Sequence, residues 1–371
     1  MRILYFSRDY GPHDHRFLAA LAESEHQVFY LRLERGSRQI ESRPVPAGIE
    51  VVEWSGGRGE VHMFDVFRLV KDLRKVINRI DPDLIHAGPI QTCGLLAALS
   101  GFHPLLIMSW GFDLMKDVDR GFFWRWATRY TLKRADWFTS DCQATFHKAL
   151  LYGLPDGRQT IFPWGVDLQR FSPRQDGKIP RNESQFTLFC NRSWEPNYGV
   201  DVLAMAFVKI AQNKEDVALL LLGDGSQAAL LRNIFSCGGV IDKVEFAGHI
   251  PYEDLPDYYH RADLFISPSH VDGSSVSLME ALACGLPCLV SDIPANKEWI
   301  TDGINGWIFP DGDVDSLAER IFYAMENRQV LPDMAVSARK TAQEKADWNK
   351  NFLSLLDAYQ HTVQQGARIS G

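Results

Sequence analysis

Two carboxylates stand eight positions apart in the segment 272–292, and their surroundings are typical of a ligand site. Asp272 lies in a short loop, and Glu280 lies one to two turns into a predicted helix whose N-cap is Ser274 or Ser275. The first backbone N–H groups of a helix have no partner within it, and the macrodipole adds partial positive charge there. A phosphate or diphosphate binds well at such a start. With two carboxylates beside it to accept hydrogen bonds from hydroxyl groups, the segment indicates a nucleotide-sugar site.

The elements that must position this site follow from the hydrophobic pattern. Short apolar runs alternate with helical patterns along the whole chain, which is typical of βαβ units and parallel sheets. In the first half we predict strands at 2–7, 27–31, 49–54, 84–86, 105–110, 137–140 and 160–162. After a turn-rich segment, 174–185, composed like a linker, the pattern restarts with strands at 186–190, 218–222, 244–246, 264–266, 288–290 and 306–309.

Helices separate these strands. In the first half they cover 14–24 and 64–80, and the second of these is amphipathic, with Phe64 and Phe67 predicted to face inward together with Val70, Leu73, Ile77 and Ile80. In the second half they lie near 199–212, 226–236, 253–261, 275–284 and 313–326, and a last helix covers 346–362. Two α/β domains result. Because ligands of open parallel sheets lie beyond the carboxyl ends of the strands, we expect the site in the cleft between the domains.

Composition excludes several classes of protein. A chain of 371 residues favours two domains, and a net charge of −8 argues against a nucleic-acid binder as a whole. No apolar run is long enough to span a bilayer, and the N-terminus does not have the pattern of a signal peptide. The six cysteines form no Cys-x-x-Cys pair, so a reducing, cytoplasmic location is expected.

The segment around the two carboxylates resembles the Glu-x7-Glu signature of the family 4 retaining glycosyltransferases, with Asp272 in place of the first Glu. The flanking text 262–269, the run 280–287, and the later stretches 302–307 and 310–313 are also similar to that family. The resemblance covers most of the chain. It implies the GT-B fold, which is an α/β arrangement of two Rossmann-like parallel-sheet domains facing a central cleft, with a C-terminal helix crossing back to the first domain.

The same resemblance implies a division of labour. Residues 1–173 would form the acceptor domain, 186–345 the nucleotide-sugar donor domain, and 346–371 the helix that packs back on the first domain. Family members place an Arg and a Lys on the donor diphosphate; Arg192 matches the first, whereas Tyr198 stands at the Lys position. The donor-binding set would be Arg192, Tyr198, Gly225, His249, Asp272, Gly273, Ser274, Ser275, Val276, Ser277 and Glu280.

In the first half, two loops are expected to contact the acceptor or the sugar. Many family members have His-Gly-x-Asp where this chain has Trp110-Gly-Phe-Asp113. An indole cannot take a proton, so a general base at Trp110 is excluded. Asp113 binds a sugar or acceptor hydroxyl, or it caps the following helix. The catalytic set is then Asp272, Glu280, Arg192 and Asp113.

The second loop follows the first strand and contains Gly11, His13 and His15. His-x-His could hold a metal, contact the acceptor or donor, or cap the next helix. The resemblance implies transfer without a bound metal, so no metal site and no cofactor beyond the nucleotide-sugar co-substrate is expected.

A basic stripe lies on the predicted helix at 122–134, where Arg125, Arg129 and Lys133 recur every four residues among aromatic side chains. Such a helix can lie on an anionic membrane surface, which would suit a lipid-linked acceptor at the inner face. The alternative is a surface helix whose aromatic residues are in the core.

The resemblance implies a retaining hexosyltransferase that moves a sugar from a nucleotide-diphosphate sugar to a hydroxyl of a carbohydrate, glycolipid, polysaccharide precursor or small-molecule acceptor, with no nucleic acid as partner. Two alternatives are a nucleotide-sugar-binding protein with impaired catalysis and a sugar-nucleotide epimerase. The sequence does not identify the base, the sugar, the acceptor or the oligomeric state.

Overall fold

The computed structural model describes residues 1–35, 41–174 and 184–370, and these residues form two compact units. The first unit contains Met1–Phe162 and the C-terminal residues from Phe352 onward, and the second contains Pro163–Asn351. The predicted domain boundaries lie at 173 and 346. Within the predicted linker, residues 175–183 lie outside the described residues.

The first unit is built on a parallel sheet of seven strands. They are β1 (Arg2–Ser7), β2 (Gln27–Arg32), β3 (Ile49–Val51), β4 (Leu84–Ala87), β5 (Leu105–Met108), β6 (Trp137–Ser140) and β7 (Gln159–Ile161), in the order β3-β2-β1-β4-β5-β6-β7. Its helices are α1 (Pro12–Ala22), α2 (Val66–Ile80), α3 (Leu95–Ser100), α4 (Phe112–Met115), α5 (Phe122–Arg134) and α6 (Gln143–Leu151). A π-helical turn, Ile90–Gly94, leads into α3.

The second unit repeats the design with six parallel strands. They are β8 (Phe186–Cys190), β9 (Val217–Leu222), β10 (Val244–Gly248), β11 (Leu264–Ser267), β12 (Cys288–Ser291) and β13 (Gly306–Phe309), in the order β10-β9-β8-β11-β12-β13. The helices are α7 (Val200–Ala211), α8 (Ala228–Cys237), α9 (Leu255–Arg261), α10 (Val276–Ala283), α11 (Pro294–Lys297), α12 (Val314–Glu326) and α13 (Leu331–Lys345), and α14 (Trp348–Ser370) ends the fold.

Strand β9 shows why continuous apolar runs form these sheets. Its sequence, Val-Ala-Leu-Leu-Leu-Leu, has no polar face. Leu219 and Leu221 point into one apolar cluster, and Leu220 and Leu222 point into another. Both faces of the sheet are therefore covered, as parallel sheets require.

The strand order reverses once in each sheet, and this places the loops that can bind ligands. In the first sheet the reversal lies between β1 and β4, and in the second it lies between β8 and β11. Loops that leave the carboxyl ends of the strands on either side of such a reversal diverge and leave a crevice for a ligand. In the second unit these are the loops 191–199 and 268–275, which contain Arg192 and Asp272.

The prediction that Phe64 and Phe67 face inward is wrong. Their side chains are 94% and 89% exposed, whereas Leu73, Ile77 and Ile80 are buried as predicted. The helical pattern was extended too far toward the N-terminus: α2 begins at Val66, and residues Met63–Asp65 form a separate 3-10 turn. Phe64 lies in that turn, outside α2. Phe67 lies within α2 but on a different face from its buried residues, which are Leu69, Leu73, Val76, Ile77 and Ile80.

As predicted, the C-terminal helix packs on the first unit. Tyr359 is fully buried, and its hydroxyl lies 2.8 Å from Nδ1 of His86 on β4. The His361 ring stacks on Trp137 with 4.7 Å between ring centroids. Gly366 passes so close to Pro104 that a side chain would not fit. The helix therefore completes one face of the first sheet.

Two further observations concern the whole described chain. None of its helices in residues 1–35, 41–174 and 184–370 combines the length and apolar character needed to cross a bilayer. All six cysteines are free thiols, and five of them are buried.

A glycine holds the turn between β8 and α7 in place, and it yields a test of the fold. Gly199 has φ +61°, and a Cβ there would overlap the carbonyl oxygen of Pro268. Gly199→Ala should therefore lower the free energy of unfolding by more than the roughly 1–2 kcal/mol of left-handed strain alone. The measurement is denaturant unfolding followed by circular dichroism.

Gly239→Ala is the matched control, because Gly239 has φ +68° and nothing within 4 Å of its would-be Cβ. It should show the strain without the overlap. Equal losses in the two variants would contradict the close approach of Gly199 to Pro268.

Candidate functional site

The start of α10 is built to present hydrogen-bond donors. Ser275 is the N-cap, and its Oγ accepts a hydrogen bond of 3.3 Å from the N–H of Leu278. Ser274 has another role, since its Oγ accepts a bond of 3.1 Å from Nε1 of Trp299. Val276 and Ser277 form the first helical turn, whose N–H groups have no acceptor within the helix.

Arg192 follows β8 directly and joins this helix start to the loop before it. Its Nη1 donates to Oγ of Ser275 at 2.7 Å and to Oγ of Ser277 at 2.9 Å. Its Nη2 pairs with Oδ2 of Asp272 at 2.5 Å. The predicted phosphate-binding cation and the predicted sugar-binding carboxylate therefore form one ion pair, in which the two side chains are 11% and 16% exposed.

The guanidinium is fixed in orientation and keeps capacity for a ligand. The Tyr198 ring lies against it, with 4.4 Å from Cζ of Arg192 to the ring centroid, which is a cation–π distance. Burial alone would lower the pKa of Arg192, but the Asp272 carboxylate raises it on balance. Three of the five N–H donors are used by Ser275, Ser277 and Asp272. Nε is buried and has no partner among the described residues.

Glu280 lies on α10 and is only 4% exposed. Its Oε2 accepts a hydrogen bond of 2.7 Å from the hydroxyl of Tyr259, a buried residue of α9. The carboxylate therefore has a defined direction. Its predicted contact with the donor stays a prediction.

The remaining predicted donor residues lie at the carboxyl edge of the same sheet or beside it. The N–H of Gly273 donates to Oδ1 of Asp272 at 3.0 Å, which fixes the other carboxylate oxygen. A Cβ on Gly225 would overlap the backbone of Trp194, so this glycine serves a close approach of two loops of the protein itself. His249 is exposed just after β10.

In the first unit, the loop after β1 is organised by Asp14. Gly11 is the N-cap of α1, and its N–H donates to Oδ2 of Asp14 at 2.9 Å. Nδ1 of His15 lies 2.7 Å from the Tyr10 hydroxyl. Burial, aided by Arg16, lowers the pKa of His13 to about 4. His13 is therefore a neutral hydrogen-bonding group at neutral pH and not a cation for phosphate.

Trp110 and Asp113 follow β5, and the His13 ring lies 5.9 Å from the Trp110 ring. Asp113 has no exposed surface, and its oxygens accept bonds from Oγ of Ser109 at 2.6 Å, the N–H of Ile90 at 3.1 Å and the N–H of Leu114 at 2.9 Å. Burial raises the pKa of Asp113 to about 6 despite these bonds. In this arrangement the carboxylate holds the loops after β4 and β5 together. Asp113 lies inside α4, whose N-cap is Gly111 and which has no side-chain cap. A hydroxyl contact of Asp113 stays a prediction.

Helix α5 exposes the basic stripe together with its aromatic residues. The core takes Ala127, Thr128, Thr131 and Leu132. Phe122, Phe123 and Trp126 are 87%, 36% and 41% exposed, so the alternative in which the aromatic residues are in the core is wrong for these three. The Phe123, Trp126 and Tyr130 rings form a ladder with centroid spacings of 5.7 and 5.4 Å.

Among the described residues, no group of three or more His, Cys, Asp or Glu side chains is placed to hold a metal ion. The sequence analysis missed Tyr259, Asn191 and Trp299, which support the donor residues. None has a motif of its own. Tyr259 lies 21 positions from Glu280, and only the packing of α9 beside α10 brings the two together.

Comparisons with known proteins found matches in both units of the chain. A family model described as glycosyl transferases group 1 matches residues 171–345, and one described as glycosyl transferase 4-like matches residues 2–142. The first match contains the whole of the Arg192, Asp272 and Glu280 region, and the second contains the His13 and Trp110 loops.

Two curated relatives are mycobacterial enzymes. A GDP-mannose-dependent alpha-(1-6)-phosphatidylinositol monomannoside mannosyltransferase from Mycolicibacterium smegmatis is 24% identical over 90% of this chain and 89% of that protein. A phosphatidyl-myo-inositol mannosyltransferase from Mycobacterium tuberculosis is 30% identical over 56% of this chain and 55% of that protein.

A solved structure shows the same fold over nearly the whole length. Sucrose-phosphate synthase from Thermosynechococcus elongatus superposes with a TM-score of 0.80 at 18% identity, covering 97% of this chain and 98% of that chain. Both sheets and their helices thus have counterparts in a GT-B protein. From the two family matches, the relatives and this fold, the chain belongs to the group 1 glycosyltransferases and has the GT-B fold.

Proposed function

We propose that this glycosyltransferase is a retaining hexosyltransferase whose second unit holds a nucleotide-diphosphate sugar. The observation that carries the proposal is the Arg192 cluster: a guanidinium, a carboxylate and a helix start meet beside the strand-order reversal of the second sheet. Each group suits one part of such a donor.

The diphosphate would bind Arg192 and the first turn of α10. The second N–H of Nη2 of Arg192 is not used by Ser275, Ser277 or Asp272, and the N–H groups of Val276 and Ser277 have no acceptor within the helix. These donors would bind the anion, and the helix dipole favours negative charge there. Stabilising the leaving diphosphate is the main electrostatic task in glycosyl transfer. Because Tyr198 supplies no charge, we propose that Arg192 carries most of that task without a bound metal.

Asp272 and Glu280 would hold the two hydroxylated parts of the donor. Glu280 lies inside the first turns of α10, where it can accept from ribose hydroxyls, and Asp272 lies in the loop before the helix, where it can accept from the sugar. Since Asp272 already pairs with Arg192, the sugar contact and the phosphate contact would be coupled through one ion pair.

We further propose a lipid-linked acceptor at an anionic membrane surface. Both relatives named above act, by their names, on phosphatidylinositol derivatives. In this chain, α5 presents the aromatic side chains that insert at an interface beside Arg125, Arg129 and Lys133, which attract anionic headgroups. The chain as a whole has net charge −8, which disfavours contact with an anionic surface. The attraction to anionic headgroups would therefore come from this local basic stripe.

Glu280→Ala should weaken binding of GDP or UDP by about tenfold to a hundredfold, because a hydrogen bond to a charged group is removed. It should also abolish transfer. Isothermal titration with each nucleotide and mass spectrometry of products from GDP-mannose or a UDP-sugar with a glycolipid extract are the measurements. Glu319→Ala, an exposed change on α12, is the control. Unchanged nucleotide affinity in a folded Glu280→Ala variant would count against the ribose contact.

Substitutions of Asp272 can distinguish the contact with the sugar from the contact with the diphosphate. Asp272→Asn removes the carboxylate that competes with the diphosphate for Arg192, so nucleotide affinity should stay or rise while transfer falls at least about tenfold. Asp272→Glu should retain transfer. The same titrations and product assays check both variants. If Asp272→Asn lost nucleotide binding and transfer equally, the carboxylate would only orient Arg192.

The membrane contact is tested by vesicle co-sedimentation. Replacing Arg125, Arg129 and Lys133 by Gln should weaken binding to vesicles containing anionic lipid by about a hundredfold, since each basic residue contributes about 1 kcal/mol near such a surface. The matched control neutralises Arg320, Lys340 and Lys350 in the second unit. Wild-type protein that does not sediment with anionic vesicles at low salt would contradict the membrane proposal.

A further inference from the structure

Tyr259 is a buried residue of α9 that belongs to no motif of the sequence, yet it touches the donor residues directly. We infer that Tyr259 is a positioning residue of the donor site, which acts through Glu280 and is itself oriented by Asn191. This inference rests on the proposed donor site in the second unit.

The three side chains form a continuous hydrogen-bonded relay. Nδ2 of Asn191 donates to the Tyr259 hydroxyl oxygen at 2.8 Å, and that hydroxyl lies 2.7 Å from Oε2 of Glu280. Asn191 precedes Arg192 in the loop after β8, whereas Glu280 lies on α10. The relay therefore connects the residue next to the proposed phosphate-binding guanidinium with the proposed ribose-binding carboxylate.

The direction of the phenol proton follows from the partners. A tyrosine hydroxyl has one proton, and the two acceptors within reach are Oε2 of Glu280 at 2.7 Å and the carbonyl of Ser277 at 3.1 Å. The shorter bond goes to the charged acceptor, which forms the stronger hydrogen bond. Burial, followed by the Glu280 carboxylate, raises the pKa of Tyr259 well above its ordinary value, so the hydroxyl stays a donor.

The ring of Tyr259 cannot move away from this position easily. It is 1% exposed and packs edge to face against Phe189 with 4.9 Å between centroids and against Phe171 with 5.9 Å. Phe265 closes a third side at 5.9 Å. Strand residues from β8 and β11 thus fix the hydroxyl, and the hydroxyl fixes one oxygen of Glu280.

A fixed carboxylate matters because the side chain of Glu280 has several rotatable bonds. Holding Oε2 on Tyr259 sets the plane of the carboxylate before any donor binds, so less conformational entropy is lost on binding. Oδ1 of Asn191 is buried without a partner among the described residues, which leaves an acceptor at the other end of the relay. The relay thus orients groups on both sides of the Arg192 cluster.

The experiment compares Tyr259→Phe with Tyr258→Phe, the same chemical change at the neighbouring position. Tyr258 is partly buried, and its ring faces Arg261. Titration calorimetry with GDP and UDP identifies the nucleotide that binds, and the same titration is then made with its 2′,3′-dideoxy analogue. Thermal unfolding of every variant is measured in parallel.

Tyr259→Phe should weaken binding of the ribonucleotide by about tenfold to a hundredfold and leave binding of the dideoxy analogue unchanged. Tyr258→Phe should change neither. In a Glu280→Ala background, Tyr259→Phe should cause no further loss of ribonucleotide affinity, because Tyr259 then has no carboxylate to orient.

The results separate the two proposals. If wild-type protein binds neither nucleotide, the donor site itself is wrong. If wild type binds one of them and Tyr259→Phe retains full affinity, or loses affinity for the ribonucleotide and the dideoxy analogue equally, Tyr259 does not act through Glu280. Equal loss accompanied by a lower unfolding temperature would identify a packing role only.

Discussion

The ion pair between Arg192 and Asp272 is the interaction on which the site depends. A buried guanidinium needs a partner of opposite charge, and so does a buried carboxylate. Each of the two residues therefore stabilises the other in its buried position near the sheet. Their contact also draws the loop after β8 toward the loop after β11, across the point where the strand order reverses. Two serines of α10 complete the shell, and the helix start, the cation and the acid become one rigid unit.

Rigid placement of this kind has a clear chemical use. An enzyme gains most from charges that are already oriented when the leaving group departs, because no reorganisation is then required. Tyr198 contributes through its ring, whose centroid lies 4.4 Å from Cζ of Arg192. The ring is a neutral aromatic surface that restricts the direction of the guanidinium.

Much of this architecture could be predicted from the amino-acid order. Apolar runs located all thirteen strands, and the serine-rich start of α10 was visible in the spacing. The features that the sequence did not predict depend on tertiary packing. The apolar spacing extends to Phe64 and Phe67, but Phe64 lies in the 3-10 turn before α2 and Phe67 lies on an exposed face of α2. The pairing of Arg192 with Asp272 joins positions 80 apart, and Tyr259 meets Glu280 only through helix packing; no local pattern encodes either.

The C-terminal helix has a consequence for synthesis. The first unit lacks one layer of its packing until Tyr359 and His361 have emerged from the ribosome, although its sheet is made from the earliest residues. The second unit is encoded without interruption and can finish folding sooner. Nascent chains would therefore carry an incompletely covered first sheet while the second unit is being made, and apolar surface exposed in that period is prone to aggregation.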